Sequence, residues 1–171
     1  MHSVAWWPTV AVVCIATATD LWERRIPNWL VVPFLLAGMA VSLGVGGLPA
    51  LGTSIAGIGL AVLITGVLWF LKGMGMGDVK LFASIAAWIG PAQFIMAFVA
   101  TGIFGGIMAV GWAVWHRSLG SSLDGAADLF AGFWRKGLRP HPDIVLENPS
   151  RLKMPYAPAI ALGTVLSFFM V

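Results

Sequence analysis

The sequence predicts an all-α fold, a polytopic membrane bundle of about six transmembrane helices with one amphipathic helix on the cytoplasmic surface. Three observations point there. Charge is scarce, uncharged apolar segments recur along the whole chain, and the basic residues fall in alternate connections. Only 10% of residues are charged while 59% are hydrophobic, with a mean hydropathy of +0.91. An ordinary soluble domain carries about 25% charged residues. The 171 residues leave little chain for a soluble domain beside the spans, so residues 1–171 are expected to form one integral-membrane domain.

Cutting at the charges gives apolar segments near 4–19, 29–46, 49–71, 81–90, 93–115 and 155–171, none containing Asp, Glu, Lys or Arg. At 1.5 Å per residue, all but 81–90 approach or exceed what a hydrocarbon core of about 30 Å requires. The short segment is expected to start near Asp78, to reach the far side through the turn "IGPAQ" at 89–93, and to need a thinned bilayer or a watery recess at one end. It must count as a crossing if the charges are to make sense. Arg24 and Arg25 occupy the first connection, Lys72 and Lys80 the third, and Arg117, Arg135, Lys136, Arg139, Arg151 and Lys153 the fifth. With six crossings all ten Lys and Arg share one face, which the positive-inside rule makes cytoplasmic.

The fifth connection, 116–154, is the long one. Leu123, Ala127, Phe130, Phe133, Trp134 and Leu138 recur at roughly helical spacing opposite Asp124, Asp128 and Arg135. This predicts an amphipathic helix on the membrane surface, followed by a Pro-rich loop. Cys14 lies in an apolar run with no partner for a disulfide or a C-x-x-C pair, so it reads as packing. No cleavable signal peptide is evident. His2, His116 and His141 are scattered without metal-ligand spacing, and neither a metal, another cofactor nor nucleic acid is expected as a ligand. The pair Gly102 and Gly106 permits close helix approach, a weak signal in a chain with 21 glycines.

Of seven carboxylates, Glu23, Asp124, Asp128, Asp143 and Glu147 sit in water-facing connections. Asp20 and Asp78 differ, because each adjoins an apolar span at the same expected depth. If they meet across the bundle, two close carboxylates cannot both ionise cheaply and hold one shared proton. One could then activate water while the other donates to a carbonyl oxygen, which is peptide hydrolysis without a metal or covalent intermediate. The stretch "GMGMGDVKLF" at 73–82 suits such a site, since Gly73, Gly75 and Gly77 let a substrate backbone approach. Two plainer readings stand beside this one. Asp78 could be the N-cap of a helix after a glycine-rich turn, and Asp20 could pair with Arg24 at i to i+4.

At these residues the sequence resembles the type IV prepilin peptidases, the bacterial branch of the GxGD membrane aspartic proteases. "DLWERRIPNWL" at 20–30 resembles the first aspartate and its basic I-P-N turn, with Arg25, Pro27 and Asn28. "GMGDVKLFASIAAWIG" at 75–90 resembles the G-x-G-D-x-K motif, with Gly75, Gly77, Asp78 and Lys80. "MPYAPAIALG" at 154–163 resembles the opening of the last span, with Pro155. The resemblance implies Asp20 and Asp78 as catalytic residues, with Gly75, Gly77, Lys80, Arg25, Pro27, Asn28 and Pro155 supporting the substrate or the motifs.

It further implies an aspartic endopeptidase of the bacterial inner membrane, multi-pass, with its active site near the cytoplasmic face. Its partners would be the lipid bilayer, prepilins or pseudopilins bearing a short basic leader, and other membrane proteins of pilus assembly. Longer members carry a cytoplasmic extension with C-x-x-C pairs and also methylate the new N-terminus. A first span beginning by residue 4 and a single cysteine imply a peptidase without methyl transfer, similar to the short enzymes of Tad/Flp pili. The acidic residues Asp124, Asp128, Asp143 and Glu147 would help recruit the leader. The alternatives are a non-enzymatic membrane protein, either a proton-coupled transporter subunit or a pilus-assembly scaffold, and an archaeal-type preflagellin peptidase or intramembrane-cutting relative.

Overall fold

The computed structural model describes residues 2–23, 26–71, 73–115 and 156–170. These form four continuous helices, α1 (His2–Glu23), α2 (Asn28–Phe70), α3 (Met76–Trp115) and α4 (Ala157–Met170), with no strand among the described residues. The expected amphipathic helix and loop of 116–154 lie outside them. Two helices are long and apolar enough to cross a membrane, Asn28–Phe70 and Met76–Gly111, and Ala157–Met170 is a shorter apolar helix.

The segments expected as separate spans at 29–46 and 49–71 are joined in α2, and those at 81–90 and 93–115 in α3. In each, one glycine leaves helical geometry, Gly47 at φ 65° and Gly90 at φ 72°. Positive φ is open to glycine at little cost. At Gly90 the following Pro91 also disfavours the helical region for its predecessor. These breaks are reversals. Gly38 and Ser54 flank Gly47, yet a Cβ on Gly38 would lie 3.1 Å from that of Ala87 while Ser54 Oγ donates to Ala87 O at 2.7 Å. In a straight helix those two residues would stand about 24 Å apart. Phe82 and Phe98, on either side of Gly90, likewise have ring centroids 5.7 Å apart. The described chain is therefore six helical arms.

The first arm of α3 is the centre of the bundle. Every residue from Leu81 to Ala87 is buried, and Leu81, Phe82, Ile85 and Ala86 join Val13, Ala16, Phe34, Ala61, Phe94 and Ile160 in one core. Its shortness therefore has a different resolution from the expected thinning. Protein surrounds the arm, so it has no lipid thickness to match. The arm also begins at Met76, two residues before the expected start.

The arms around it turn small residues inward. The buried stripe of α2 is Leu30, Phe34, Gly38 and Ser42, then Ser54, Gly57, Ala61 and Thr65, at the three- and four-residue steps of one helix face. Large side chains such as Leu36, Leu48, Leu63 and Phe70 point outward. Between helices in lipid the stabilisation comes from close packing, which small residues permit. Trp88 lies over Gly38, stacks on Phe34 at 5.1 Å and donates to Phe34 O at 2.9 Å. A Cβ on Gly57 would stand 2.7 Å from Ala86 O, and one on Gly163 would stand 2.8 Å from Ala97 O.

These contacts set a graded expectation. Gly57→Val should lower stability by about 1–3 kcal/mol or more through overpacking. Gly59→Ala, where nothing lies within 4 Å, should leave thermal unfolding in detergent close to wild type.

Candidate active site

The ends of α1, α3 and α4 converge at one end of the bundle, opposite Gly47 and Gly90. In the last turns of α1, Thr17 and Thr19 return their hydroxyls to the helix, Thr17 to Val13 O at 2.7 Å and Thr19 to Ala16 O at 3.0 Å. Asp20 turns inward and is 8% exposed. Its Oδ2 accepts from the Ala157 N–H at 3.1 Å. Ala157 is the first residue of α4, so Asp20 satisfies one of the free donors of that helix end and meets its positive dipole.

Asp78 is 9% exposed and lies in the first turn of α3. Gly75 is the N-cap, its carbonyl accepting from Val79 N–H at 3.3 Å. The Asp78 side chain turns back over this cap, the direction a capping box takes when the third helical residue reaches toward the cap. A Cβ on Gly75 would come within 3.1 Å of Asp78 Oδ2, so glycine is what leaves room. The N-cap reading of Asp78 is corrected accordingly: Gly75 caps the helix, and Asp78 serves the helix start from inside it.

Asp20 and Asp78 are close enough for the Asp20 charge to act on Asp78. Each carboxylate lies at a helix N-terminus, and Asp20 also holds a backbone N–H, which offsets part of their mutual repulsion. Carboxylates are groups that can accept and donate protons in a reaction.

The remaining expected residues divide. Gly77 backs onto the turn after α1, where an added Cβ would lie 3.3 Å from Ile26 Cβ. Lys80 Nζ donates to Asn28 Oδ1 at 3.0 Å. Pro27 is the N-cap of α2, in extended geometry. Arg25 and Pro155 lie outside the described residues, as does Arg24, the suggested partner of Asp20. Cys14 is exposed on α1, which corrects its reading as a packed residue. Its surroundings are the apolar outer surface, where a small thiol is tolerated.

Sequence reasoning did not single out Ile26, Tyr156 or Ala157. Tyr156 caps α4, its carbonyl accepting from Ile160 N–H at 3.1 Å, and its ring lies 3.6 Å from the Cβ position of Gly105. It is the chain's one tyrosine and sits inside the third motif, a signal that could have found it.

The fold and site define a helical protein of membrane type with two buried aspartates brought together at one bundle end. The chain belongs to the Type IV leader peptidase family, whose profile matches residues 7–110. It is 30% identical over 121 residues to the prepilin leader peptidase/N-methyltransferase of Aeromonas hydrophila, covering 61% of this chain and 40% of the relative. The same figures hold for the protein of that name from Aeromonas salmonicida strain A449. The chain thus spans well under half the length of these relatives. No solved structure matches it.

The capping geometry yields a stability expectation. Asp20→Asn keeps an acceptor for Ala157 N–H and removes a like charge beside Asp78, so its melting temperature should equal or exceed wild type. Asp20→Ala loses the acceptor and should fall about 1 kcal/mol below Asp20→Asn.

Proposed function

We propose that the chain is a membrane aspartic endopeptidase that removes the short basic leader from prepilins or pseudopilins at the cytoplasmic face of the bacterial inner membrane. The observation that carries this reading is that Asp20 of α1 and Asp78 of α3 are both buried at one bundle end, within reach of each other's charge, in a member of the Type IV leader peptidase family. One carboxylate takes a proton from water as the other gives one to the scissile carbonyl. Gly73 and Gly75 are exposed just ahead of Asp78, so an extended leader can lie backbone to backbone beside them while its apolar helix remains in lipid.

In this reading the six arms are six crossings. Arg24, Arg25 and Lys72 belong to the connections at the aspartate end, and Lys80 to the first turns of α3, which favours the cytoplasm for that end.

Cleavage of a Tad/Flp-type prepilin in membranes, at matched enzyme levels, tests the chemistry. Asp20→Asn and Asp78→Asn should each lower the rate at least about 100-fold, and near-normal processing by either variant would sink the reading. Topology is tested separately, in a Cys14→Ala background. Cysteines placed at Gly46 and Ala92 should label from outside the cell, and labelling from the cytoplasm would overturn the six crossings.

A further inference from the structure

We propose that Lys80 and Asn28 form a positioning clasp that sets the separation of Asp20 and Asp78. The inference rests on the peptidase reading above and concerns how that site is held. Asp20 rides on α1, which packs mainly on α4 and only lightly on α2 and α3. Helix packing by itself therefore leaves Asp20 loosely placed relative to Asp78 on α3. Two ties close the gap. One is the Ala157 N–H held by Asp20 Oδ2 at 3.1 Å. The other is the turn that follows α1, where Ile26 backs on Gly77 and Asn28 Oδ1 receives Lys80 Nζ at 3.0 Å.

The second tie joins three helices at one point. Asn28 opens α2, Lys80 lies in the first turns of α3, and residues 24–27 are all that separate Asn28 from the end of α1. Two residues along a helix rotate a side chain by about 200°, so Lys80 leaves α3 on the side away from Asp78. Its ammonium is thereby directed to the turn and not to the carboxylates. A hydrogen bond from a charged donor is stronger than a neutral one; this one is exposed to water, so it acts as a tether, and the short stem of Asn28 passes any slack to the chain that carries Asp20. Lys80 is therefore a positioning residue, acting on the chemistry through the α1–α2 turn.

A double-mutant cycle on prepilin cleavage, in membranes with matched amounts of folded enzyme, tests the clasp. Lys80→Gln and Asn28→Ala should each lower kcat about tenfold with KM for the prepilin unchanged, since small misplacements of reacting groups carry losses of that order. The double variant should be no slower than the slower single variant, and Lys80→Arg, which keeps a donor, should recover part of what Lys80→Gln loses. If Asn28→Ala does not fold, Asn28→Ser carries the same test. Losses that multiply in the double variant, or that fall on KM, would overturn the clasp and make Lys80 a substrate contact. Asp20→Asn and Asp78→Asn run alongside: activity there defeats the peptidase reading itself, whereas inactivity there with a multiplicative cycle defeats the clasp alone.

Discussion

Two buried carboxylates within reach of each other's charge repel when both ionise, and the aspartate end of this bundle sets a helix N-terminus against each. Asp20 and Asp78 sit at the edge of an apolar body where water screens them poorly. What holds them there is backbone. The N-terminus of α4 gives Asp20 the Ala157 N–H, and Asp78 lies in the first turn of α3. Both helix ends present the positive pole of their dipoles, so two helices begin where two negative charges collect. The arrangement fixes the direction of α3 and α4 relative to α1 and leaves the outer halves of the bundle to packing.

That packing mixes two kinds of contact. Large side chains such as Leu81, Phe82, Ile85, Phe94 and Ile160 fill the centre, while along much of α2 glycine, alanine, serine and threonine line the seam and leucine, valine and isoleucine cover the outside. At those seams the van der Waals attraction between closely approaching backbones decides the arrangement. Gly57 against Ala86 and Gly163 against Thr101 place the central arm and α4, and so place the helix ends that serve the two aspartates. The carboxylates thus depend on glycines many turns away.

Much of this is legible in the sequence. The uncharged stretches mark the arms, and the position of Asp20 and Asp78 beside apolar spans sets them apart from the other carboxylates. What the residues do not show is which apolar surface meets lipid and which meets protein. Leu81 to Ala87 are without charge on every side, so periodicity carries no sign of their complete burial, and the short segment reads as a problem of membrane thickness. The start of α3 is misplaced by sequence because a capping carboxylate at the third helical position resembles one at the cap. The bond from Asp20 to Ala157 joins the first helix to the last, and no local pattern reports it. Tyr156 escapes notice within its motif because an aromatic ring in an apolar chain carries no signal until its neighbours are known.

The reversal at Gly90 uses a single residue. A loop of several residues would let two arms slide past each other, each finding its own level in the bilayer. Here there is no slack, so the sheltered arm that carries Asp78 cannot choose its depth independently. Its level is inherited from the second arm of α3, whose Ile95, Val99, Ile103 and Ile107 face outward. Whatever holds that outer arm at its level holds the buried carboxylate with it.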